Sequence, residues 1–115
     1  MITCVNNENI TEVLNEVGCT KDSYQNFINK SKVILLKLDN IDFREATILK
    51  QTFLSAGGDA AVNKGVLDHS KRNSTILLMG TKKNYGVALK SLQKQHFFNL
   101  QSICKSLDKF LSRLQ

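Results

Sequence analysis

Two short aliphatic runs, Val33 to Leu38 (VILLKL), which reads as a central strand, and Thr75 to Met79 (TILLM), which reads as a second buried strand, bound what this chain can fold into. Around them, apolar residues recur at helical rather than strand spacing. Few strands among several amphipathic helices leave one small sheet with helices packed on it. With 115 residues there is room for one domain, and none for a (β/α)₈ barrel of about 250 residues. A chain of this mass folds to a surface of roughly 6,300 Å², hiding about two-thirds of what it exposes unfolded. It should therefore bury one core without disulfides or a metal.

The helical stripes are specific. Ile10, Val13, Leu14 and Val17 share one face of a short helix, with Gly18 as its C′ stop. Thr20 stands as N-cap before Tyr24, Phe27 and Ile28. Asp42 followed by Glu45 resembles a capping box, opening a helix with Ala46, Leu49, Phe53 and Ala56 on one side. Gly57-Gly58 ends it. Ala60 to Val62 begins a short strand, with Lys64-Gly65 as a bulge or turn before Val66-Leu67. Asp68 to Asn73 is a polar loop. Thr81 caps a helix carrying Tyr85, Ala88, Leu89 and Leu92, and His96 to Asn99 breaks that pattern. A last helix carries Leu100, Ile103, Cys104, Leu107, Phe110, Leu111 and Leu114. Ile2 to Val5 can add an edge strand. The expected fold is a small α/β sandwich with a mixed sheet of three to four strands. Its β-α-β-β-α core spans about 32–95, with flanking helices over about 9–30 and 99–114 of a single domain.

Function classes fall away in turn. No window approaches eighteen apolar residues, so no transmembrane helix is expected. The first ten residues lack the pattern of a signal peptide, which makes a cytoplasmic location the expectation. Cys4, Cys19 and Cys104 are odd in number and far apart, and read as reduced, partly buried thiols. His69 and His96 have no Glu or Cys at ligand spacing, so no metal is expected. Asp68-His69-Ser70 holds the residue types of a hydrolase triad, but neighbours in one loop cannot line up nucleophile, base and orienter. No catalytic residue and no cofactor are assigned.

The net charge of +6 is unevenly placed. Residues 71–115 carry nine basic groups against Asp108 alone. This allows a second reading, a small basic module for nucleic acid or another anionic partner. Lys71 and Arg72 can join Lys82 and Lys83 in one patch. Against nucleic acid, the strands carry no aromatics on which bases would stack. Met79-Gly80-Thr81 runs from strand to helix, where backbone N–H groups beside Lys82 can receive an anion.

Three blocks carry a resemblance. Ile48-Leu49-Lys50-Gln51, Gly57-Gly58-Asp59-Ala60-Ala61-Val62 and Leu77-Leu78-Met79-Gly80-Thr81 are similar, in order and spacing, to the N-terminal extension of the longer, clostridial-type bacterial dihydropteroate synthases. The similarity spans roughly residues 10–110. It departs where that family has Ser-Pro, here Asp42-Phe43, and Gln-Pro-Phe-Gly, here Gln95-His96-Phe97-Phe98-Asn99. The family's transferase chemistry sits in a pterin-binding barrel that opens with a proline-containing loop. This chain has no proline, against about five or six at average usage. The resemblance therefore implies a non-catalytic accessory domain in folate biosynthesis. It would meet a pterin-binding barrel in cis or in trans, as a segment of a longer protein or as a freestanding relative. Lys50 and Asp59 are its best candidates for a role beyond packing. Gly57, Gly58, Gly80, Thr81 and Lys82 complete the candidate ligand or partner surface.

Overall fold

The computed structural model describes residues 1–97 and 99–114. Phe98, in the expected connector, and Gln115 lie outside the described residues. Among the described residues, five α-helices and three strands follow in the order α1 (Ile10–Val17), α2 (Tyr24–Lys30), β1 (Ile34–Asp42), α3 (Phe43–Ser55), β2 (Asp59–Ala61), β3 (Asn73–Gly80), α4 (Lys82–Gln93) and α5 (Leu100–Ser112). The small α/β architecture expected from the sequence is the one observed.

The sheet is antiparallel throughout, in the order β1-β3-β2, which corrects the expected mixed sheet and puts β3 rather than the Val33 to Leu38 run at its centre. The α3 connection does carry the chain from β1 to a strand of the same direction. However, β3 inserts between the two, so no parallel pair is hydrogen-bonded. Two further expectations are corrected. Ile2 to Val5 forms no strand, because every one of those residues is exposed and no strand lies beside them. Val66-Leu67 does not resume β2. Asn63 instead caps a single 3-10 turn over Lys64–Val66, its side chain accepting from the Gly65 N–H at 2.8 Å. Gly65 is required there, since a Cβ would lie 2.7 Å from both the Lys71 Cβ and the Ser70 hydroxyl.

β1 runs beyond its aliphatic segment. A bulge between Leu38 and Ile41 places Asn40 at φ +57°, and the strand then rejoins β3 at Ile41 and Asp42. Asp42 closes β1 and caps α3, completing the capping box with Glu45. The core lies on one face of the sheet. Leu36, Leu78 and Ala60 form one row across the three strands, and α3 and α4 cover it with Leu49, Phe53, Tyr85 and Leu89. The Phe53 and Tyr85 rings meet edge to face at 5.1 Å. Tyr85 donates its hydroxyl proton to the Ile34 carbonyl at 2.9 Å. Burial pushes its pKa up to about 12, against the lowering effect of a Leu36 backbone hydrogen bond.

α5 packs on α4 through Leu100, Cys104 and Leu107. Two polar devices fix it. Gln101 Nε2 donates to the carbonyls of Leu92, Gln93 and Gln95, covering the open end of α4. The buried Glu45 accepts from the Asp42 N–H at 3.2 Å and from the Asn99 N–H at 2.7 Å, tying the start of α5 to the start of α3.

The opposite face of the sheet is uncovered. Leu35, Met79 and Asp59 form one row there, and Lys37, Leu77 and Ala61 the next. Leu35 is 59 % exposed. The N-terminal helix pair buries no residue at all. The accessible surface is 8115 Å², larger than the roughly 6,300 Å² usual at this mass. The extended first residues account for part of the excess, and the bare sheet face for another part.

Candidate functional site

The three sequence blocks converge on one corner of the fold. Lys50, on the solvent side of α3, extends its amine to Asp59 Oδ1 at 3.1 Å and to the Ala60 carbonyl at 2.7 Å. The same carboxylate oxygen accepts from the Ala60 N–H at 2.7 Å. That N–H, and after it the Lys50 amine, hold the Asp59 carboxyl below the usual carboxylate range. Both side chains are thus engaged with each other and with the edge of β2. A partly exposed pair of this kind contributes little stability by itself.

Asn84 joins the Gly-Gly turn to the Gly80-Thr81 turn. Its Nδ2 donates to the Ala56 carbonyl at 2.9 Å, at the end of α3. Its Oδ1 accepts from the Thr81 N–H at 2.8 Å, while the Thr81 hydroxyl accepts from the Asn84 N–H at 3.3 Å. The glycines allow the approach. Gly57 sits at φ +94°, a conformation glycine adopts without steric cost. A Cβ on Gly58 would collide with the Met79 carbonyl, and one on Gly80 would lie 2.9 Å from the Asn84 Cβ. This corner is a closed packing junction. The sequence reading missed Asn84, although Thr81-x-x-Asn84 carries the spacing of a capping box.

Lys82 points elsewhere. Beside it, two contiguous hollows separate α2, the start of α4 and the end of α5. The larger, of about 530 Å³, takes in Asn29, Lys32, Ile34, Lys82 and Leu111. The smaller, of about 240 Å³, shares Asn29 and Lys82 and adds Lys30, Thr81 and Lys83.

The expected single basic patch is corrected. Lys71 and Arg72 precede β3, whereas Lys82 and Lys83 follow it. Eight residues of strand separate them by about 26 Å. The neighbours of Lys82 and Lys83 are instead Lys30 and Lys32.

Asp68, His69 and Ser70 share one exposed loop. Asp68 accepts from the Ser70 N–H at 3.0 Å, and hydrogen bonds from Ser70 hold its carboxyl low. The His69 ring lies 4.5 Å from the Phe43 ring, tilted by 36°. No group of three or more His, Cys, Asp or Glu able to hold a metal occurs among the described residues. The cysteines differ from one another more than expected. Cys104 is buried and its thiol pKa is pushed up by burial, Cys19 is half-buried, and Cys4 is exposed, correcting its reading as partly buried. No helix among the described residues is long and apolar enough to cross a membrane. No family model matches the chain, and comparisons with curated proteins and with solved structures find no match.

Proposed function

We propose that this chain is a non-catalytic accessory domain that packs on a pterin-binding barrel of the dihydropteroate synthase type. The uncovered face of the sheet is the observation that carries the reading. Leu35, Met79, Leu77 and Ala61 present a continuous apolar strip, with Lys37, Asp39 and Asp59 at its margin. An apolar centre with a charged rim is the anatomy of a protein interface. The partner's identity rests on the resemblance, whose three blocks build the junction bordering this face. Lys50 and Asp59 then act by fixing the β2 edge rather than by touching substrate.

The test is association of the chain with a dihydropteroate synthase barrel, followed by calorimetry and size-exclusion chromatography. A complex at micromolar concentration that Leu35→Glu abolishes supports the reading. Leu35 is exposed, so the substitution leaves the core untouched. Absence of a complex, combined with a coding frame that does not continue into a barrel, refutes it.

A further inference from the structure

We propose that the cleft between α2, the start of α4 and the end of α5 is a binding site for a small amphipathic anion, a phosphate monoester of an apolar alcohol. This site lies apart from the uncovered sheet face and does not depend on the barrel association.

The cleft falls within the roughly 300–1,000 Å³ of small-molecule sites. Its walls differ in chemistry. On one side stand Lys32, Lys82 and Asn29, continued in the adjoining hollow by Lys30 and Lys83. Among the described residues, none of these four amines pairs with a carboxylate and no carboxylate lines either hollow. Gln25 Nε2 donates to Asn29 Oδ1 at 2.9 Å, which engages the Asn29 oxygen and leaves its Nδ2 as a donor. The polar wall is therefore rich in donors and positive charge, which selects an anion. A phosphate monoester brings a charge of about −1.5 to −2 and three acceptor oxygens to such a wall.

The other side is apolar. Ile34, Leu111 and Leu114 line it. The α5 stripe explains their presence. Leu100, Cys104 and Leu107 are consumed by the core, whereas Leu111 is half-buried and Leu114 is 40 % exposed. The stripe outlasts the protein that covers it, and its surplus shares the larger hollow with Lys32 and Lys82. A free inorganic ion would leave that wall wet, and a neutral lipid would leave the amines without a partner. A ligand with both halves satisfies both walls.

The experiment is a ¹⁵N-resolved NMR titration of the chain with n-octyl phosphate, inorganic phosphate and n-octanol. Saturable shifts with octyl phosphate, centred on Asn29, Ile34, Lys82 and Leu111, are expected. Each half-ligand should bind at least about tenfold more weakly, as should the Lys32→Gln/Lys82→Gln variant. All positions changed are surface lysines, and the variant's spectrum reports its fold directly. Sedimentation with phosphatidylcholine vesicles containing phosphatidic acid then distinguishes the ligand's source. Cosedimentation that the double variant loses assigns the phosphate to a membrane lipid, and its absence beside octyl phosphate binding assigns a free metabolite. Inorganic phosphate binding as tightly as octyl phosphate, unchanged affinity in the double variant, or no saturable shift overturns the proposal.

Discussion

Among the described residues Glu45 is the one buried carboxylate, only 3 % exposed, and both of its oxygens accept from backbone N–H groups. Replacing it with alanine leaves the Asp42 and Asn99 N–H groups without their acceptor. A hydrogen bond to a charged group contributes about 1.5–3 kcal/mol. The Asn99 N–H can be partly rehydrated, since Asn99 itself is exposed, so the two bonds together come to about 3 kcal/mol for Glu45→Ala. Glu45→Gln keeps the methylenes and one acceptor, and its cost is about 2 kcal/mol. At roughly 4 °C per kcal/mol for a chain of this size, the melting temperature falls by about 12 °C and 8 °C respectively. Thermal unfolding followed by far-UV circular dichroism measures both, with Glu12→Ala on the exposed side of α1 as the control. Because Glu45 tethers α5, amide exchange in α5 should accelerate more than exchange in α3. Melting of Glu45→Ala together with the control, or equal acceleration in α3 and α5, would refute the tether.

Two further outcomes follow from local geometry. Gly58→Ala drives a Cβ into the Met79 carbonyl and should cost about 1–3 kcal/mol, whereas Gly86→Ala, in the interior of α4 with nothing within 4 Å of the new Cβ, should stabilise by about 0.5–1 kcal/mol; urea midpoints compare them. Asp42, Asp59 and Asp68 all have carboxyls held below the ordinary value of 3.8, by the Arg44 guanidinium, the Ala60 N–H and Ser70 respectively. Their contribution is therefore complete above the unfolded aspartate value and is lost as pH falls through the lower folded values. Urea unfolding at a series of acidic pH values should show stability declining below about pH 3.8, with a shallower decline in Asp59→Asn.

The helices were legible because their signals are local. The Asp42/Glu45 capping box, the Gly18 stop at φ +82° and the Tyr85-Ala88-Leu89-Leu92 face all follow from residues within a few positions of one another. The sheet was less legible. Strand direction depends on which element inserts between which, and no local pattern encodes that β3 lies between β1 and β2. The bulge at Asp39-Asn40 interrupts the alternation, so the strand is read as ending at Leu38 when it continues to Asp42. At the candidate site, Lys50 and Asp59 stand out in the sequence as polar residues, one on a helix and one beside the Gly-Gly turn. Their mutual pairing spans nine positions and depends on where α3 ends. The bareness of the second sheet face was hidden in the same way. Leu35, Leu77 and Met79 read as core in a buried run, and only the one-sided placement of α3 and α4 leaves them uncovered.

The central place of β3 also governs the order in which this protein can form on the ribosome. Every inter-strand hydrogen bond of the sheet involves β3, the last of the three strands to be synthesised. Ile34 waits for Gly80, and Asp59 waits for Met79. At about 5–20 residues per second, β1 remains unpaired for roughly 2–8 seconds after it is made. During that interval only the helices before β3 can form, and the aliphatic strand stays open to other chains. Closure of the sheet is then a single late event joining distant segments, the kind of step that places folding in the slower, millisecond-to-second range.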